Sequence, residues 1–223
     1  MHMEPGVVDG AKMFLSYGTA AAAAGVTLKL AAEDLKSHSA TSFAARCALA
    51  TAGVFVCFEV LPHFPVGVSE VHLILGTTLL LILGAAPCAI GLAAGLAIQS
   101  LFFAPSDLPM YTVNVTTLLF PLFLVNVLAH RIIPAQTPYV DLRYADVLKL
   151  SLAFQGGIVA WVAFWAIYGQ GIGVIGDVAS FGAAYMLVVI VEPLADLAAL
   201  AGAKTLRRYS ASGLFVNRLH NPA

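Results

Sequence analysis

Charge is what this chain has least of. Only 10% of its 223 residues are Asp, Glu, Lys or Arg, against 60% hydrophobic, whereas a soluble domain carries about 25% charged residues. Eleven Lys+Arg and twelve Asp+Glu cannot clothe a globule of this size. That excludes a soluble enzyme domain, a disordered chain and a nucleic-acid binder with a basic face. Cysteine is scarce too. Cys47, Cys57 and Cys88 sit in apolar runs without CxxC spacing, and read as small hydrophobes in helix packing. No GxxxxGK[ST] occurs, so the chain has no P-loop. The opening Met1-His2-Met3-Glu4-Pro5-Gly6 lacks a basic n-region, so no secretory signal peptide is expected.

What the chain does have is apolar sequence in long runs. A spanning helix takes about 20 residues, which allows roughly six to eight spans. The pattern predicts an all-α membrane protein, one domain of seven spans over about 12–30, 43–61, 70–84, 87–104, 112–130, 147–168 and 178–202, with a basic tail at 203–223. Pro62, Pro65 and Gly67 separate the second span from the third, and Gly84 to Pro87 the third from the fourth. Pro105 and Pro109, Pro134 and Pro138, and the glycines from Gly169 to Gly176 mark the later breaks. The third and fourth segments could form one re-entrant unit; two separate spans are expected.

The few cations are unevenly placed. Lys29, Lys36 and Arg46 lie in or beside the first loop. Arg131, Arg143 and Lys149 flank the loop after the fifth span, and Lys204, Arg207, Arg208 and Arg218 lie at the C-terminal end, together ten of the eleven. Basic loops face the cytoplasm. The N-terminus is therefore expected outside and the C-terminus inside, in a multi-pass inner-membrane protein. That arrangement requires an odd number of spans, as seven is. Trp161, Trp165 and Tyr168 are expected in an aromatic belt at the outer end of the sixth span.

This topology gathers His2, His63 and His72 on the outer side. A bulky second residue favours retention of Met1 with a free amine. That amine, the backbone nitrogen of His2 and its imidazole Nδ1 can chelate one ion in a plane. Planar nitrogen sets suit Ni, Co or Cu rather than Zn, Mg or Ca. One position stays vacant, and an imidazole from elsewhere could fill it. His72 lies within the membrane edge, where an ionisable side chain suggests function, although it could instead hydrogen-bond a neighbouring helix. Glu70 could orient an imidazole or be a solvated edge residue. Asn114, early in the fifth span, must find polar partners if buried.

Three segments give the chain a family resemblance: Met1-His2-Met3-Glu4-Pro5-Gly6, Phe64-Pro65-Val66-Gly67-Val68-Ser69-Glu70-Val71-His72, and Val113-Asn114-Val115-Thr116-Thr117-Leu118. They resemble the substrate-binding membrane subunits of cobalt and nickel energy-coupling-factor transporters, the CbiM/NikM family. The resemblance runs over roughly residues 1–135. It implies seven spans, an external N-terminus, and a metal held by Met1, His2 and His72. Glu70, Asn114 and His63 are the candidate residues around that site. It departs from the family after the second histidine, where His72-Leu73-Ile74-Leu75 replaces a His-Pro-Thr-Gly sequence. The metal, Ni, Co or Cu, is implied as substrate, and no organic cofactor is expected.

The resemblance also implies a transmembrane coupling subunit and cytoplasmic ATPases. Ala20 and Ala24, four apart in the small-residue stretch Gly18–Gly25, are a candidate docking face; packing within the protein's own bundle is the alternative. Glu192 and Asp196 are four apart in the last span. They could line a cation path or meet Lys204 and Arg207 at the interface. The function expected is a non-enzymatic binding subunit of an ATP-driven metal uptake transporter. The alternative is a structural or accessory subunit of a larger membrane complex.

Overall fold

The structure is a computed structural model and describes residues 2–206. Met1 and the tail residues Arg207, Arg208, Arg218 and His220 lie outside the described residues.

Among the described residues seven α-helices form a bundle: α1 Met13–Ser37, α2 Ala40–Phe55, α3 Gly76–Leu83, α4 Ala85–Phe102, α5 Tyr111–Ile132, α6 Tyr144–Gln170 and α7 Ile175–Leu206. Their boundaries follow local chemistry. The Ser39 hydroxyl accepts the Ser42 N–H at 3.2 Å and caps α2. α2 ends in a π-turn, Val56–Val60, just before Pro62, which has no N–H to continue it. Among the described residues five helical stretches are long and apolar enough to cross a membrane: Ala40–Val60, Ala85–Phe102, Pro105–Ile132, Tyr144–Gln170 and Ile172–Leu206. The protein is an integral membrane protein. α1 is not among the five; it is rich in Gly, Ala and Thr and ends through Lys29, Glu33, Asp34 and Lys36.

The segment expected as the third span is built differently. Its first residues form β2, Ser69–Val71, paired antiparallel with β1, Phe64–Val66. The chain then runs through His72 to Leu75, which adopts a left-handed φ of 56°, and only then enters the eight-residue α3. At 1.5 Å per residue that helix is about 12 Å long, well short of a bilayer core. Pairing in the hairpin and the turn at Leu75 use up the residues a longer helix would need. Gly84, at φ 93°, turns the chain straight into α4, so α3 and α4 are separate helices.

Small residues set the tightest packing. A Cβ on Gly91 would lie 2.3 Å from the Ala50 Cβ, and one on Gly95 would lie 2.6 Å from a Val54 methyl, so α2 and α4 pack nearly backbone to backbone. Beside them Arg46 of α2 is buried. It pairs with both carboxylate oxygens of Asp34 on α1 and donates to the Leu83 carbonyl at 2.8 Å. Arg46→Ala leaves Asp34 without this partner and is expected to cost about 3 kcal/mol, read as a lower thermal midpoint in detergent. Combining it with Asp34→Leu should recover most of the loss.

The belt expectation is corrected for one residue. Trp165 is fully buried, and its indole N–H points at the Thr116 hydroxyl at 3.3 Å. It is a core residue, held there by a polar partner on α5.

Candidate metal centre

The N-terminal tail folds back and docks alongside β2 of the hairpin. Met3 bridges Ser69. The Glu4 N–H donates to the Val68 carbonyl at 3.1 Å, and the Glu70 N–H to the His2 carbonyl at 2.9 Å. The Ser69 hydroxyl donates to the same His2 carbonyl at 2.9 Å. Deeper in, the buried Met3 N–H donates to Asn114 Oδ1 at 2.7 Å. These bonds answer the tail's backbone groups, which burial would otherwise leave unpaired.

Two glycines make room for this arrangement. Gly169, at the end of α6, would place a Cβ 1.9 Å from the Val7 carbonyl oxygen. Gly67, in the hairpin turn, sits at φ 60°, and its Cβ would lie 2.3 Å from the Asp177 carbonyl oxygen. Gly169→Val is expected to displace the tail, exposing residues 2–8 to limited proteolysis that the native protein resists.

The docked tail carries His2 to His72. Both are buried, their ring centroids 5.2 Å apart, and Phe58 walls the pair at 4.5 Å from His72 and 5.6 Å from His2. His72 Nδ1 lies 3.0 Å from the Leu73 carbonyl, which can only accept. Nδ1 therefore carries the proton and Nε2 the lone pair. His2 Nδ1 lies 2.8 Å from Glu70 Oε2, and a proton there again leaves the lone pair on Nε2. Both Nε2 atoms are buried without a hydrogen-bond partner. One donor atom each from His2, Glu70 and His72 lies within 4.8 Å of the others, a grouping that could hold a metal ion.

Burial pushes the His2 imidazole down to about 4, with the charged N-terminus acting in the same direction. Burial alone would raise the Glu70 carboxyl, but the hydrogen bond from His2 outweighs it and holds the group below its usual value. Glu4 is raised by burial and then by the neighbouring Glu70 and Asp107 charges, so three carboxylates crowd this end of the bundle. A neutral His2 has a direct consequence. The undocked tail binds a proton near pH 6.5 and the docked tail only near 4, so docking is strongest above about 6.5 and weakens as pH falls between the two values. Hydrogen exchange at the Met3 amide, corrected for its intrinsic rate, should show less protection at pH ~5 than at pH ~7.

The other expected residues fall into place unequally. His63 is exposed, with Nδ1 3.2 Å from the Leu61 carbonyl, and stands outside the His2–Glu70–His72 group. Asn114 is fully buried and holds the tail through Met3. On α1, Ala20 is half-buried against the protein's own core while Ala24 is exposed; the two do not share one free face. Glu192 and Asp196 are fully buried beside α3 rather than at an interface. Sequence reasoning missed Phe58 and the hairpin. The hairpin's one signal is Gly67 between two short apolar stretches.

A family model for the cobalt uptake substrate-specific transmembrane region, CbiM, matches residues 2–209. The chain belongs to the CbiM family. The fold agrees with that of two solved structures. One is described as a transition metal transporter, with TM-score 0.69 and 19% identity, covering 96% of this chain and 100% of that one. The other is a truncated transition metal transporter, with TM-score 0.65 and 18% identity, covering 95% and 99%. A search of curated proteins finds no match. In this CbiM-family chain the matched region contains the docked tail, the hairpin and both buried histidines.

Proposed function

We propose that this chain is the substrate-binding subunit of an ATP-driven transition-metal uptake transporter in the inner membrane. The observation that carries the reading is the buried, unpartnered Nε2 of His72, which lies in a group of His2, Glu70 and His72 with donor atoms within 4.8 Å of one another. Leaving a buried polar atom unpaired costs free energy, and a cation on this lone pair removes the cost. Family membership supports a metal as the substrate.

The ligands proposed are His2, His72 and the Met1 amine, with the His2 amide nitrogen completing a planar chelate suited to Ni, Co or Cu. The chelate uses His2 Nδ1, which rests on Glu70 in the metal-free chain. Capture therefore exchanges that hydrogen bond for a metal bond, with the ring proton moving to Nε2 and the amide proton released to solvent. The carboxylates of Glu4, Glu70 and Asp107 raise the local cation concentration at the outer face. Release inward needs energy from separate chains, a transmembrane coupling subunit and ATPases, since the chain has no P-loop of its own. The exposed small residues of α1, Ala24 among them, are the proposed surface for the coupling subunit.

Cobalt or nickel accumulation by cells expressing the chain with its partner genes tests the reading. Accumulation should require ATP and disappear with His72→Ala. Uptake that survives this substitution, or purification with redox proteins and no bound metal, would favour an accessory subunit instead.

A further inference from the structure

His72 stands two residues before Ile74, on a stretch with no regular secondary structure between β2 and α3. Something must hold that stretch still for the imidazole to have a fixed aim. α7, more than a hundred residues later, supplies it. One Glu192 carboxylate oxygen accepts the Ile74 N–H, and the other accepts from Gln155 Nε2 of α6. That accept-only carboxylate fixes which way the Gln155 amide faces, and Tyr185 of α7 donates to the opposite end, Oε1, at 2.6 Å. One turn further along α7, Asp196 Oδ1 accepts the Thr78 N–H at 3.2 Å and the Thr78 hydroxyl at 2.5 Å. The first N–H groups of a helix lack intrahelical partners, and here an acid on another helix satisfies one of them. Between the two acids lie Leu75 at φ 56° and Gly76, whose Cβ would lie 2.4 Å from the Phe154 ring. The stretch is thus clamped against both α6 and α7.

This geometry favours a positioning role for Glu192. Both oxygens of Glu192 accept N–H donors, one of them from the backbone beside His72 and the other from α6. We propose that Glu192 is a positioning residue for His72, acting through the Ile74 backbone, so that the placement of α7 sets the aim of the second imidazole. The inference rests on His72 being a metal ligand.

The test uses the full chain in detergent with divalent cobalt as the probe, read by calorimetry and by the visible spectrum of the bound ion. Glu192→Gln keeps the size but turns one acceptor into a donor, which now meets the donating Gln155 amide. Affinity should fall about 10–100-fold, the usual cost of losing a partner that orients a ligand. Adding Gln155→Glu reverses the polarity of the pair. The amide at 192 then donates to the carboxylate at 155, while Ile74 and Tyr185 keep their acceptors. This double exchange should restore both affinity and spectrum.

Native-like cobalt binding by Glu192→Gln would overturn the inference. So would a double exchange that recovers thermal stability without recovering affinity, since that is the signature of a purely structural role. If His72→Ala binds cobalt as the native chain does, the proposed ligand set fails and this inference falls with it. If His72→Ala abolishes binding and Glu192→Gln leaves it unchanged, only the inference fails.

Discussion

His72→Ala is expected to lower the affinity for nickel or cobalt by more than 100-fold. Loss of a group that merely orients a ligand costs roughly 10–100-fold, and His72 is proposed as a ligand itself. The fold should tolerate the change. Nε2 makes no hydrogen bond to the protein, so the loss is confined to the Nδ1 contact with Leu73 and the packing on Phe58 and His2. His72→Phe separates the two effects, since it fills the space against Phe58 without offering a nitrogen. It should match the native thermal midpoint more closely than His72→Ala and bind metal equally poorly. Equilibrium dialysis against nickel, with thermal unfolding of the same samples, reads both quantities.

Asn114→Leu is the second substitution with a large expected effect, and it acts at a distance from the lone pairs. Asn114 Oδ1 is the acceptor for the buried Met3 N–H. Removing it leaves that N–H without a partner, at a cost of about 1–3 kcal/mol. The docked tail then becomes a minor state, and apparent affinity falls by the docked fraction, roughly ten- to hundredfold. The ligands are untouched, so the spectrum of the bound ion at saturation should equal that of the native chain. His72→Ala should change the spectrum instead. Loss of affinity with an altered spectrum in Asn114→Leu would place Asn114 among the ligands.

Much of the architecture was legible in the scarcity of charge. The long apolar runs marked the helices because lipid leaves a chain few other options. The exception was 70–84, whose apolar residues gave no sign that the first of them pair with β1. A short helix and a hairpin strand, each at least partly buried, show the same continuous hydrophobicity as a span. Within the site, His2 and His72 were readable because polar residues are so rare here. The role of Glu192 was not, since its partner is the backbone of Ile74, 118 positions away. A backbone N–H leaves no trace in sequence. For Glu70 the sequence left two readings, an acceptor that orients an imidazole and a solvated edge residue, and its hydrogen bond to His2 of the docked tail favours the first.

The central claim is that the N-terminal tail and His72 hold one transition-metal ion together. Calorimetric titration with divalent nickel tests it most directly, comparing the chain carrying a free Met1 amine, the same chain with that amine acetylated, and His72→Ala. One ion per chain is expected for the first, with binding lost or greatly weakened in the other two. Equal affinity in all three would contradict the account.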